Sequence, residues 1–285
     1  MRNDTIRLLI SCPDTRGIIA AVSTFIKDHS GNIVELDQHT DDSSGHFYMR
    51  VEVEEQGFSL TSDTFESSWA PLAKRFDMNC QLAWAGRKTR VAVLVSKEGH
   101  CLHDLLFRWQ AGELAADIPV VISNHMDLAP LAQQAGIEFV HCPIVKGDKA
   151  AQEALLEKTL AGMQVDLIVL ARYMQVLSAD FVARHARKII NIHHSFLPAF
   201  VGPKPYHQAF ERGVKIIGAT SHYVPDQLDQ GPIIAQSVCD VGHRDSVQDM
   251  IRKGRDLERI VLARAVRLHV SDKILVGGNK TVVFD

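Results

Sequence analysis

The sequence has no dense run of lysine and arginine, no closely paired cysteines and no apolar stretch long enough to cross a membrane. Each absence removes a class of function. The 31 basic residues are outnumbered by 34 acidic ones, for a formal net charge of -3, so no nucleic-acid partner is expected. Cys12, Cys80, Cys101, Cys142 and Cys239 are odd in number and scattered, with no C-x-x-C pair. Neither a disulfide framework nor a zinc site is expected from them. No run approaches the ~20 apolar residues of a spanning helix, and the opening MRNDTIRLLI carries an acidic residue and no long apolar core. The expectation is a cytoplasmic protein with no secretory leader and no membrane partner. Fourteen histidines are present, yet none form an H-E-x-x-H or H-x-x-x-H pair on a predicted helix, so no metal is expected. Ser195 beside His194 lacks the G-x-S-x-G elbow of a serine hydrolase. Internal repeats and low-complexity segments are missing too.

What is present is an ordinary globular composition, 46% hydrophobic and 23% charged over 285 residues, with room for two domains. Two patterns divide it. Residues 5–11 read as a strand, followed by Asp14 as a candidate helix cap and by Ile18, Ile19, Val22, Phe25 and Ile26 at helical spacing. Candidate strands at 32–39 and 46–54 flank a turn-rich Asp41–Gly45. A second helix fits 61–76, with Phe65, Trp69, Leu72, Ala73 and Phe76 on one side, and a fourth strand fits 79–85. The order βαββαβ is ferredoxin-like. After a polar GRKTR linker the pattern changes: doubly apolar strands at 91–95, 118–122, 138–140 and 166–170 alternate with helices near 101–110, 127–135 and 148–162. That alternation predicts a doubly wound, mostly parallel sheet covered on both sides. A long helix over 246–268, capped by Ser246, and a hairpin turning at Gly277-Gly278-Asn279 complete the chain. The expected domains are 1–86 and 87–285.

The stretch from Lys188 to Ile234 carries the chemistry. An apolar strand turns polar at Asn191, His193 and His194, and side-chain alternation puts Asn191 and His193 on one side. An amide and an imidazole side by side can polarise a carbonyl and move a proton. One positioned donor to an oxyanion typically contributes about a hundredfold in rate, and histidine is the usual proton carrier. A carboxylate from Asp229, on the later LDQGP turn, can hold the ring or a water in place.

NIHHSFLP, GATSHYV and LDQGPII, in this order, resemble the signature of the folate-dependent formyltransferase family over about residues 90–275. The resemblance implies Asn191, His193 and Asp229 as catalytic residues and His222 as a further pocket histidine. It also implies a pterin pocket walled by Met174, Gln175, Val176 and Leu177 and by the loop carrying Asp226. Folate is the substrate in such a reading, and no cofactor is expected. The N-terminal stretch resembles the ACT domain, an amino-acid-binding regulatory module, through PDTRGI and HSGNI. That likeness implies an effector near Asp14, Gly17 and Asn32, with methionine or glycine as candidates, and a homo-oligomer.

The first βα turn of the sheet bears on the acceptor. In the glycinamide ribonucleotide enzymes of that family this turn is glycine-rich and cradles a phosphate on backbone N–H groups. Here it reads Ser96-Lys97-Glu98-Gly99-His100-Cys101-Leu102, and Glu98 repels an anion. No nucleic-acid-binding domain is expected after the catalytic one, as the tRNA-modifying members have. An ACT-like unit ahead of the catalytic one, together with PYHQAFERGVKIIGATSHYV, resembles the family's hydrolytic members. The resemblance therefore implies water as acceptor, with formyl transfer to a small amine, or folate sensing without turnover, as the alternatives.

Overall fold

The computed structural model describes residues 4–84, 86–144, 148–199, 205–225 and 230–285. Two compact units emerge. One comprises Met1–Arg87 with Asp272–Gly277 and Val282–Asp285, and the other comprises Lys88–Ser271 with Gly278–Thr281. A division at 86/87 leaves Asp272–Gly277 and Val282–Asp285 with the second domain, whereas in space they cluster with the first.

In the first unit Thr5–Pro13 (β1), Ile18–Asp28 (α1), Ile33–Asp41 (β2), His46–Glu54 (β3), Ser62–Phe76 (α2) and Asn79–Ala83 (β4) follow in the predicted βαββαβ order. The strands form one antiparallel sheet, β2-β3-β1-β4. Alternation in β1 sends Ile6, Leu8, Ile10 and Cys12 toward the helices, where Val22, Ile26, Phe65 and Trp69 pack with them. Phe65 and Trp69 stack with ring centroids 5.6 Å apart, each burying an aromatic worth on the order of 2–3 kcal/mol. Leu9 belongs to a different apolar cluster, with Tyr48, Leu275 and Phe284. Burial on both faces is why Leu8, Leu9 and Ile10 stand consecutively in β1 rather than alternating with polar residues.

Opposite Leu9 in the β1–β3 register stands Arg50, 1% exposed. Its Nε donates to the carbonyl of Asp272 at 2.8 Å, and its guanidinium pairs with Glu35 at 3.0 Å and with Glu52. Arg7 reaches the Asp272 carboxylate at 3.1 Å. A buried guanidinium is tolerable only when charged and polar partners replace its water, and here three carboxylates and one carbonyl lie around two arginines.

One local expectation is corrected. Asp14 does not cap α1: Gly17 does, at φ +93° with no side-chain bond, in the left-handed region that glycine enters without strain. The Asp14 N–H instead donates to the carbonyl of Gly45 at 2.9 Å, closing the turn between β2 and β3 onto the end of β1.

The second unit opens with Thr89–Val95 (β5), His100–Gln110 (α3), Ala116–Ser123 (β6), Ala129–Gln134 (α4) and Glu138–His141 (β7). Lys149–Gly162 (α5), Leu167–Leu170 (β8), Ala179–Arg184 (α6), Ile189–His193 (β9) and Pro205–Glu211 (α7) follow. Ile216–Tyr223 (β10), Ile233–Asp240 (β11) and Val247–Val270 (α8) come next, and Ile274–Gly277 (β12) and Lys280–Val283 (β13) close the chain. The sheet order is β11-β10-β9-β8-β5-β6-β7. Strands β5 to β9 pair in parallel, while β10 runs antiparallel to both β9 and β11. The sheet is therefore mixed, though mostly parallel. Ala92, Leu94, Ile168 and Leu170 pack with α5 and α6, and α8 lies against β9, β10, β11 and α3. Ser246 caps α8 in a capping box with Asp249, which satisfies two of the free N–H groups at its start. Among the described residues no helix is long and apolar enough to cross a membrane.

Strand order reverses between β5 and β8, because β6 and β7 continue to one side of β5 and β9 to the other side of β8. In open α/β sheets the ligand crevice lies beyond the carboxyl ends of the strands at such a point.

Candidate functional site

Strand β9 delivers the polar end. Ile189, Ile190 and Ile192 are fully or nearly buried, which fixes the strand and thereby the direction of the residues between them. The antiparallel register sets His222 opposite Asn191 and Thr220 opposite His193, so the pairs share the face that alternation predicts. Asn191 Nδ2 lies 3.4 Å from His222 Nε2. His222 Nδ1 lies 2.9 Å from the carbonyl of Tyr223. A carbonyl only accepts, so Nδ1 carries the proton and Nε2 presents its lone pair to the Asn191 amide. His222, 1% exposed, thereby orients Asn191.

His193 is 6% exposed and stacks on His194 with ring centroids 5.1 Å apart. The chain beyond it is pinned. Thr220 Oγ1 donates to the carbonyl of Ser195 at 2.9 Å and accepts from Leu197 N at 3.0 Å. Ser195 Oγ donates to the carbonyl of Ala199 at 2.8 Å, so its hydroxyl serves the turn, in keeping with the absence of a serine-hydrolase elbow.

The segment after β8 is tied to two other strand ends. Met174 N donates to Ser96 Oγ at 2.9 Å, and Ser96 Oγ donates to Asn124 Oδ1 at 2.7 Å. With its backbone held, Met174 is 56% and Val176 63% exposed. Neither belongs to the core, and an anchored loop presenting apolar side chains outward suits a flat aromatic ligand. Gln175 is half-buried, and Leu177 packs against the core beneath α5 and α6. Asp226 and Asp229 lie outside the described residues.

Sequence reasoning missed a buried ion cluster. Glu258 of α8 is 1% exposed. Its carboxylate accepts from His100 Nε2 at 2.7 Å and from Tyr206 Oη at 3.0 Å, and Arg172 Nε stands 3.5 Å away. Burial alone pushes this carboxyl up, but the His100 hydrogen bond and the Arg172 charge more than offset it and hold it below the ordinary glutamate range. Glu98 pairs with Arg255 at 2.8 Å and lies 3.8 Å from His100. Ligand atoms of His100, Cys101 and Glu258 fall within 4.8 Å of one another. The Cys101 thiol is pushed up by burial and by the nearby Glu258, which disfavours the thiolate a metal needs. The set reads as a buried ion cluster in which His100 and Tyr206 hydrogen-bond the Glu258 carboxylate. Its one sequence signal is a glutamate beside Leu257 on the apolar face of α8.

In the first unit Asp14, Gly17 and Asn32 are all exposed. Asn32 Nδ2 donates to Glu54 Oε2 at 2.8 Å, so its amide is held by the sheet.

Comparison with known proteins covers the whole chain. Residues 89–266 match the formyl transferase family model and residues 6–57 match the ACT domain model. Formyltetrahydrofolate deformylase from Synechocystis sp. is 55% identical over 100% of both chains. The crystal structure of a formyltetrahydrofolate deformylase from Pseudomonas syringae superimposes with a TM-score of 0.96 at 48% identity, covering 99% of this chain and 94% of that one. The fold of the second unit extends further: glycinamide ribonucleotide transformylase 1 from Symbiobacterium toebii matches with a TM-score of 0.67 at 32% identity, over 72% of this chain and 98% of that one.

Proposed function

Because the chain belongs to the formyltetrahydrofolate deformylase family, we propose that it hydrolyses 10-formyltetrahydrofolate to formate and tetrahydrofolate in the cytoplasm, with no cofactor. The observation that carries this reading is the likeness along the full length, with the ACT and formyl transferase regions in the same chain. The reaction balances one-carbon pools and supplies formate for purine synthesis.

In the proposed mechanism the pterin lies against Met174, Gln175, Val176 and Leu177 and the loop of Asp226. Asp229 and His193 position a water and take a proton from it as its oxygen bonds to the formyl carbon. Asn191 donates an amide N–H to the oxyanion, which a preoriented donor stabilises more than bulk water does. The carbon–N10 bond then breaks, N10 keeps the electron pair, and the proton passes to it from His193. The geometry that supports this is the shared face of Asn191, His193 and His222 at the end of β9, with the Asn191 amide already set by His222.

Incubating the pure protein with 10-formyltetrahydrofolate and no acceptor tests the assignment, with formate and tetrahydrofolate released in equal amounts as the expected result. Consumption only after an amine is added means formyl transfer. Tight binding without turnover means a folate sensor.

The ACT unit takes a small-molecule effector in this reading, with methionine and glycine as the candidates and Asp14, Gly17 and Asn32 on the binding rim. Self-association goes with it. Formate release is measured against increasing concentrations of each amino acid, and light scattering gives the subunit number. An unchanged rate with both ligands removes them as effectors.

A further inference from the structure

The switch-point crevice has two sides, and they are furnished differently. On one side lies the anchored loop with exposed Met174 and Val176. On the other stands a largely buried cluster of this chain's own side chains. His100 opens α3 just beyond β5, Arg172 lies two residues beyond β8, and these are the two strands between which the order reverses. Both converge on Glu258, and Tyr206 joins them from the start of α7. The Tyr206 ring lies 6.3 Å from that of His194, and His194 stacks on His193. The ion cluster is thus continuous with the catalytic strand end.

The cluster is built to stay. At Gly254 a Cβ would lie 1.9 Å from Tyr206 Oη, so only glycine there lets the phenol reach Glu258. Arg172 adopts φ +63°, a conformation that costs an arginine roughly 1 kcal/mol or more and a glycine nothing. The start of α3, where a helix N-terminus would favour an anion, already carries Glu98, paired with Arg255 and near His100. Two carboxylates and two guanidiniums leave little net field to draw in a phosphate.

We propose that Arg172, His100, Tyr206 and Glu258 plug the acceptor half of the crevice, and that this plug keeps the enzyme specific for water over larger amines. The inference rests on the deformylase reading. Its four residues are specificity-determining and take no part in moving protons. With the plug open, an amine nitrogen bonds to the formyl carbon, the carbon–N10 bond breaks, and N10 keeps the pair and receives the proton the amine loses. The products are the N-formyl amine and tetrahydrofolate, with no change of oxidation state.

The test measures how formyl groups partition between formate and N-formylglycinamide when 10-formyltetrahydrofolate turns over in excess glycinamide. In the wild type all formyl is expected as formate. Arg172→Gly suits the left-handed backbone and leaves Glu258 bonded to His100 and Tyr206, and it is expected to raise the amide-to-formate ratio about tenfold or more over the wild-type background. Arg172→Lys, which keeps bulk and charge, is expected to stay at that background. His100→Ser asks the same question from the β5 side and serves if Arg172→Gly does not fold. A folded, active Arg172→Gly or His100→Ser enzyme with the wild-type ratio overturns the proposal, as does a lysine variant that matches the glycine one. Wild-type protein that releases no formate in the absence of any amine overturns the deformylase reading instead, so the two failures are separable.

Discussion

Asn191 and His222 face each other across the β9–β10 pair, with the amide Nδ2 3.4 Å from the imidazole Nε2. The Tyr223 carbonyl fixes which nitrogen of that imidazole accepts, so an amide with two ways round is given one. Asn191→Ala is expected to lower kcat by about a hundredfold or more, as loss of an oxyanion donor does. His222→Ala is expected to lower kcat by about tenfold with KM for the folate nearly unchanged, because only the orientation of Asn191 suffers. His222→Gln, which can still accept from the amide, should recover part of the loss. A purely structural role would instead lower the melting temperature and leave kcat per folded molecule intact.

The proposed proton-handling roles of His193 and Asp229 are tested separately. His193→Ala and Asp229→Asn are each expected to cut turnover by about two to four orders of magnitude, measured as formate release. The double variant should fall little further than the worse single one, since groups acting as a unit are not additive. Near-normal rates in either single variant would remove that residue from the mechanism.

His269 is expected to make the fold sensitive to acid. Burial is the leading cause that lowers it from 6.5 to about 4, with Asp166 opposing, and Nδ1 lies 2.7 Å from Tyr223 Oη. A histidine depressed on folding binds its proton more readily in the unfolded chain. The contribution of a neutral His269 to stability is therefore expected to be full above pH 6.5 and to decline as the pH falls toward about 4. The shift corresponds to about 3 kcal/mol at the acid end. His269→Gln is expected to flatten the loss of melting temperature between pH 6.5 and 4 relative to the wild type, at the cost of some stability at pH 7. An identical slope in both proteins would show that His269 is not the group responsible.

Two members of one ion cluster should differ sharply in weight. Arg50→Leu leaves Glu52 and the Asp272 carbonyl without their donor in a buried place and is expected to destabilise the first unit by about 3 kcal/mol. Glu35, 47% exposed at its side chain, is largely solvated, so Glu35→Ala should cost well under 1 kcal/mol. Urea unfolding followed through Trp69, which sits in that unit's core, reads both.

Local geometry and the order of the elements were legible in the sequence, and individual long-range contacts were not. Asn191 and His193 could be placed on one face because strand alternation is fixed by covalent geometry. Ser246 announced α8 because a cap needs only the residues beside it. Glu258 gave no comparable sign: its partner His100 is 158 residues away, and a glutamate on a helix is unremarkable until its burial is known. The short α6 carries too few residues for periodicity to assert itself, and the antiparallel pairing of β11 with β10 rests on contacts that the local pattern does not record. Asp14 was a fair candidate cap by residue type, yet backbone geometry at Gly17 decided the start of α1. Leu275 and Phe284 read only as hairpin residues, since apolar side chains do not say which sheet they will cover.

The membership of Asp272–Gly277 and Val282–Asp285 in the first unit bears on how the protein is made. The carbonyl and carboxylate that Arg50 and Arg7 engage lie more than two hundred residues downstream of them, at Asp272. During synthesis the β1–β4 sheet emerges early, but Leu9 and Tyr48 await Leu275 and Phe284. The unit begun first on the ribosome is therefore finished last, after the whole second unit has been translated.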